Sequence, residues 1–290
     1  MLENNDYYRP NTKEELTEIL RQTTGKIVAG CTDMLPRMRR GQVPGDCLVD
    51  INNIKELHFI REENGQVQIG ALATHAELVS SQIIQDASPA LAEAAASIGS
   101  PQTRNRGTLG GNLANASPAA DTAPPLLVLD AGVKLNNDGK PRSVPLEDFF
   151  CGPGQTVLTS GEYIEHVFFN RPTGQWGMAF FKLGKRKGMA ISVVSAAAFL
   201  SLGSDGTIKT ARVALGSVAP VPLRSRSTEE FLMDKTPTLE AFQKAGEAVL
   251  LDISPINDVR ALAEYRRHVA GIAVQRVLEM AWEQAARRIA

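Results

Sequence analysis

Leu16, Ile19 and Leu20 share one helical face, with Thr12 and Glu15 ahead of it at capping-box spacing. The pattern predicts a helix that Gly25 ends. Residues 26–29, Lys-Ile-Val-Ala, read as a short buried strand feeding the loop Gly30-Cys-Thr-Asp33. Residues 48–51 and 67–70 read as further strands. Thr74-His-Ala-Glu77 is a second capping box, opening a helix through Leu78. Ser88 before Pro89 starts a third helix, because the N–H that proline lacks would go unpaired there anyway. That helix runs through Leu91 to Ile98 and stops at Gly99. Residues 100–118, rich in Gly, Asn and Ser, read as a long loop. Residues 121–129 read as a buried helix, and residues 133–135 as a strand entering a turn at Asn136-Asn-Asp-Gly139. Beyond about residue 171 the composition changes. Residues 180–182, 191–200 and 208–216 alternate as strands of an antiparallel sheet, with Asp205-Gly206 turning between the last two. Two helical stretches close the chain, the last with Leu262, Tyr265, Val269, Ile272 and Met280 at helical spacing. The boundary is expected near residues 171–177, giving a domain over 1–174, with subdomains of about 1–55 and 56–174, and a second over 175–290.

The chain has 290 residues, 43% hydrophobic and 22% charged, enough apolar material for a sizeable core. A net charge of −1 leaves no broad positive field, so nucleic acid is not an expected partner. Cys31, Cys47 and Cys151 are scattered, without CxxC spacing. They build neither a zinc site nor a cysteine-ligated iron–sulfur cluster, and no disulfide framework, which favours a reducing cytoplasm. The start, Met-Leu-Glu-Asn-Asn-Asp, lacks the basic and apolar parts of a signal peptide. The longest apolar run, around residues 196–200, is too short to span a bilayer. A cytoplasmic or peripherally docked protein is expected.

Two glycine loops carry the candidate chemistry. Ala29-Gly30-Cys31-Thr32-Asp33 follows a strand, and Thr108-Leu109-Gly110-Gly111-Asn112 lies far downstream. Consecutive N–H groups in such turns converge on an anion, and glycine admits the close approach that a Cβ blocks. Either loop alone also reads as a plain tight turn. There is no GxxxxGK[ST] and no GxGxxG between strand and helix, so neither a P-loop nor a Rossmann site is supported. Asp121, at a helix start, suits a cap or a hydrogen bond to a ribose or ring group. His75 is read as part of a surface capping turn, and His58, His166 and His268 are assigned no chemistry.

Ala29-Gly-Cys-Thr-Asp-Met-Leu-Pro and Thr108-Leu-Gly-Gly-Asn-Leu-Ala-Asn-Ala-Ser-Pro-Ala-Ala-Asp-Thr-Ala-Pro resemble the two FAD loops of molybdenum hydroxylase flavin subunits, of the xanthine dehydrogenase and carbon monoxide dehydrogenase type. The likeness extends through Gly152-Pro-Gly-Gln and Tyr265-Arg-Arg-His, over essentially the whole chain. It implies an α+β fold: a two-subdomain FAD-binding domain of the vanillyl-alcohol-oxidase type, then a C-terminal domain with a three-stranded antiparallel sheet and helices covering the flavin. It implies FAD contacts at Ile27, Val28, Ala29, Gly30, Cys31, Thr32, Asp33 and Met34 in the first loop. In the second it implies Thr108, Gly110, Gly111, Asn112, Asn115, Ser117 and Asp121. Ile164 and Lys182 match positions at the flavin ring; on their residues alone, core packing and a surface strand lysine are open for them. Cys31 departs from the family's second glycine, which argues that this backbone does not need a glycine-only conformation. No catalytic residue and no metal site are expected, because the cofactor carries the chemistry. The resemblance implies a relay from a molybdopterin-containing large subunit through a [2Fe-2S] small subunit to this FAD, and on to NAD or another acceptor, in a heterotrimer. A self-contained flavin oxidase or reductase and a non-catalytic flavin-binding scaffold are the alternative readings.

Overall fold

The computed structural model describes residues 6–42, 47–186 and 188–288. Residues 1–5, on which the reading of the chain's start depends, lie outside that range. A parallel sheet comes first, with Cys47–Asp50 between Asp6–Tyr8 and Lys26–Val28. Parallel neighbours require crossovers, and the helices Lys13–Gln22 and Met34–Arg39 supply them. Leu16 is fully buried with Val49, Ile54 and Leu57. Thr12 Oγ1 caps the first helix, accepting from the Glu15 N–H at 3.2 Å. The predicted reciprocal bond is displaced by one residue, since the Glu15 carboxylate reaches back to the Asn11 N–H at 2.7 Å.

A five-stranded sheet follows, in the spatial order Ile60–Glu63, Gln66–Gly70, Tyr163–Asn170, Gly132–Asn137, Lys140–Pro145, all neighbours antiparallel. Asp138 (φ 55°) and Gly139 (φ 71°) alone form the last hairpin turn, so Asn136 and Asn137 remain in the strand. The prolines at 141 and 145 masked the last strand in the sequence, and an edge strand tolerates them. Val67, Ile69, Val133, Leu135 and Val167 are buried in one core with Leu91, Leu109 and Leu126. The segment expected as one loop over 100–118 instead holds two short helices, Pro101–Arg104 and Leu109–Ala114. Ser100 and Thr108 cap them through their hydroxyls, which offsets the poor helix propensity of the glycine pair.

The third sheet is antiparallel and has four strands, Trp176–Gly184, Ser192–Leu202, Ile208–Gly216 and Leu223–Arg224, where three were expected. The fourth is two residues paired with Ala214 and Leu215, too short to show an alternation in sequence. Ala197 and Phe199 face the core shared with the five-stranded sheet. Ala196, Ala198 and Leu200 face the helix Ala263–Arg287. The apolar stripe expected on that helix is not its buried face: Leu262, Tyr265, Ile272 and Met280 are exposed, and only Val269 is covered. The face that packs is built of Ala270, Ala273, Val274, Val277 and Ala281. Small side chains allow close contact, and a Cβ on Gly177 of the sheet would collide with the Ala281 carbonyl. Arg266 lies on this buried face because Nη1 donates to the carbonyls of Val193 and Ser217 and Nη2 pairs with Asp258. Among the described residues no helix is long and apolar enough to cross a membrane.

Candidate functional site

A cleft of about 910 Å³ opens between the parallel sheet and the five-stranded sheet. Its first wall is the loop after Lys26–Val28. The end of strand Cys47–Asp50 grips that loop. The Ile51 N–H donates to the Val28 carbonyl at 3.0 Å, and Asn52 Nδ2 to the Ala29 carbonyl at 2.9 Å. Asp50 in turn holds Asn52 at 2.9 Å and accepts from the Tyr7 hydroxyl at 2.5 Å. Burial pushes the Asp50 carboxyl up, but these donors outweigh it and hold it below the usual range. Among the described residues, no protein acceptor meets the N–H groups of Gly30, Cys31, Thr32 and Asp33. Lining the cleft with its donors not spent on the protein, this row is available to a ligand.

Cys31 carries its side chain in a conformation that is rare but not restricted to glycine. Its φ is +58°, in the left-handed region, so the backbone does adopt the conformation that glycine favours. The strain is about 1–2 kcal/mol for a side chain at this position. Its carbonyl accepts from the Leu35 N–H at 3.2 Å, so the kink also launches the helix Met34–Arg39. Burial raises the Cys31 thiol above its ordinary value, which keeps it protonated.

The second loop differs from the expected N–H cradle. Its donors are spent within the protein: Leu109 to the Ala73 carbonyl, Gly110 to Ala71, Gly111 to Thr108 Oγ1, Asn112 to the Thr108 carbonyl, all within 2.9–3.1 Å. The segment is a capped helix whose glycine face walls the cleft. A Cβ on Gly110 would meet Ala71, whereas one on Gly111 would meet only Thr108 Oγ1 at 2.9 Å. The two loops touch through backbone. A Cβ on Gly30 would collide with the Arg106 carbonyl and the Gly107 Cα, a contact that only glycine permits.

Residues 27–34, Thr108, Gly110, Gly111, Asn112, Asn115 and Ile164 all line the cleft. Ser117, Asp121 and Lys182 do not. Ser117 Oγ accepts from the Ala119 N–H at 3.2 Å. Asp121 and Lys182 form a buried ion pair of 2.6 Å across the seam between the second loop and the third sheet. Lys182 also donates to the Ser97 carbonyl at 3.1 Å, and Ser192 Oγ to Asp121 at 2.5 Å. Burial pushes the Asp121 carboxyl up against the pull of the Lys182 ammonium. Sequence reading missed three contributors. Arg37 spans the cleft, donating to Asn115 Oδ1 at 3.2 Å. Glu162 holds the rim turn, accepting from Arg142 Nε at 2.7 Å and from the Thr159 N–H at 3.0 Å. His75, expected at the surface, is buried in the cleft wall. Arg37 and Glu162 act through residues 78 and 20 positions away, so no local pattern marks them.

Two family descriptions match the chain: "FAD binding domain in molybdopterin dehydrogenase" over residues 3–172, and "CO dehydrogenase flavoprotein C-terminal domain" over residues 179–281. The chain is 35% identical over 283 residues to the carbon monoxide dehydrogenase medium chain of Hydrogenophaga pseudoflava, covering 97% of this chain and 98% of that one. It is 33% identical to the xanthine dehydrogenase FAD-binding subunit of Escherichia coli O157:H7, covering 95% of each. The solved structure of the H. pseudoflava carbon monoxide dehydrogenase superposes with a TM-score of 0.93 at 35% identity, covering 97% of this chain and 98% of that one.

Proposed function

We propose, of a chain that belongs to the FAD-binding medium subunits of the molybdenum hydroxylase family, that it takes electrons from [2Fe-2S] clusters of a small partner subunit and passes them to NAD or another acceptor. The complex it serves is an oxidoreductase, and the cofactor of this subunit is FAD. Bound FAD supplies the redox chemistry, taking up electrons singly or in pairs. What this chain supplies is position and surroundings.

The observation that carries the reading is the meeting of Gly30 with Arg106–Gly107, which joins an unspent row of N–H groups to a glycine-faced helix. In this reading the N–H groups of Gly30, Cys31, Thr32 and Asp33 hold the diphosphate. Gly110 and Gly111 leave it room, and Thr108, Asn112 and Asn115 add neutral polar contacts. Ile27, Val28, Ala29, Met34 and Ile164 form apolar wall. Asp121 and Lys182 form the clasp between the second loop and the third sheet, and so set how that sheet covers the cofactor, while Ser117 closes the turn before Asp121. Backbone N–H groups neutralise a diphosphate without a lysine cluster, in keeping with the chain's even charge.

The partners in this reading are a molybdopterin-containing large subunit and a [2Fe-2S] small subunit, together a heterotrimer. Cys31, Cys47 and Cys151 are free and apart, and among the described residues no three His, Cys, Asp or Glu side chains group to hold a metal. The test is affinity purification of the tagged chain from its native host. The expected result is a yellow complex of three polypeptides containing FAD, molybdenum and iron, whose flavin bleaches under the holoenzyme's substrate. A chain that purifies alone and rapidly oxidises a small organic compound would overturn the relay.

A further inference from the structure

His75 is 3% exposed, and its Nδ1 is enclosed without a hydrogen-bond partner. Nε2 has no protein partner among the described residues either, yet it is not among the enclosed unpartnered atoms. It is therefore the nitrogen that opens on the cleft, whose wall the residue forms. The backbone fixes the ring's place tightly. The His75 N–H donates to the Gly107 carbonyl at 3.0 Å, Thr74 bridges to Thr108, and the Thr74–Glu77 capping box pins the turn. The ring carbon beside Nε2, Cδ2, lies 3.1 Å from the point where a Cβ of Gly107 would stand, and Thr32 Oγ1 lies 3.3 Å from the same point. The imidazole thus enters from a third segment of chain at the junction of the two loops.

A buried polar group without a partner costs about 1–3 kcal/mol, and a leucine would fill the same space without that cost. The fold keeps the imidazole in the cleft that the first loop also lines, beside Thr32 at Gly107. We propose that His75 is a third contact to the FAD diphosphate, donating one hydrogen bond from Nε2 to a phosphate oxygen. This rests on the cleft being the FAD site. Burial and the nearby Arg104 guanidinium lower the His75 pKa to about 4, so the ring is neutral at physiological pH and must present its proton on Nε2 to serve as donor. That tautomer leaves Nδ1 as a bare lone pair with no donor to it.

The experiment uses the full chain as H75L, H75Q and G111L variants, with FAD affinity read by flavin fluorescence and the bound diphosphate read by its ³¹P resonances. H75L is expected to weaken FAD roughly 10- to 100-fold and to move a ³¹P resonance. Glutamine places an N–H donor close to the position of Nε2, so H75Q is expected to stay within about threefold of wild type. An H75L chain with wild-type affinity and unmoved ³¹P resonances overturns the contact, as does equal loss in H75L and H75Q, which marks the position as packing. G111L separates the two levels of the argument. If G111L loses FAD while H75L keeps it, only the His75 contact fails; if both keep it, the cleft is not the FAD site.

Discussion

Acidification should destabilise the fold through His75. Its pKa falls from 6.5 to about 4, with burial the larger cause and Arg104 the smaller. The sign follows from which state binds the proton. The folded pKa is the lower one, so below about pH 6.5 the unfolded chain takes up a proton that the folded chain refuses. Stability from this group is intact above about pH 6.5, falls as pH drops, and stops falling below about pH 4. The full difference of about 2.5 pKa units corresponds to about 3 kcal/mol, of which about 1.4 kcal/mol is lost by about pH 5.5. Other groups titrate in the same range. The carboxyls of Asp50, Glu77, Glu162 and Glu165 are held low and also withdraw stability on acidification, and His166 is depressed by burial. Comparing wild type with H75Q cancels them. Urea unfolding of the FAD-free chains at several pH values should show wild type losing about 1.4 kcal/mol more than H75Q between about pH 7.5 and about pH 5.5. Parallel stability–pH curves for the two chains would refute the reasoning.

Three other perturbations follow from the same geometry. Lys182→Met removes the partner of a buried carboxylate and should cost about 3 kcal/mol at neutral pH by thermal or urea unfolding, with Asp121→Asn in the same chain restoring part of it; additive single effects would show that the pair is not coupled. Gly30→Val puts a side chain into the Arg106 carbonyl and forces the loops apart, so the purified chain should carry no FAD. The three thiols should alkylate in order of access: Cys151 quickly, Cys31 slowly because burial keeps it protonated, and Cys47 only on unfolding, with FAD slowing Cys31 further; peptide mass mapping reads the order.

Much of the fold was legible because its signals are local. Thr74 and Glu77 are three residues apart and close a capping box, and Asp205-Gly206 turns one strand into the next. The strand Ile208–Gly216 alternates through Arg212 well enough to be read, and then runs buried from Val213 to Gly216. The readings that failed needed information the local pattern does not hold. The final helix shows Leu262, Tyr265, Ile272 and Met280 to solvent because the face packed closely on the sheet is made mostly of Ala and Val, with Leu278 and Arg266 among them. Pro141 and Pro145 argue against a strand until it is known to be an edge. His75 looked like a surface residue because its position in a capping turn does not reveal what lies above the turn.

The site divides along the same line, and its two loops show why. Both were recognisable as glycine turns, yet they reach the cleft by opposite means. The first leaves four N–H groups without acceptors among the described residues, at the cost of a left-handed cysteine. The second spends its N–H groups on a helix cap and offers absence of side chain instead. Spacing cannot tell these apart, because glycine serves both backbone torsion and close approach, and only the neighbouring chain decides between them. Cys31 makes the point sharply. Its side chain argues against a glycine-only conformation, and the left-handed kink is not one; in the fold, the bonds gripping Val28 and Ala29 on one side and the helix start at Met34 on the other leave that kink as the connection. Local propensity of about 1–2 kcal/mol is overridden by tertiary bonds that span 23 residues at both Ile51–Val28 and Asn52–Ala29. Strain of this kind persists where surrounding structure over-determines it, and here it faces the cleft where the ligand's charge would be met.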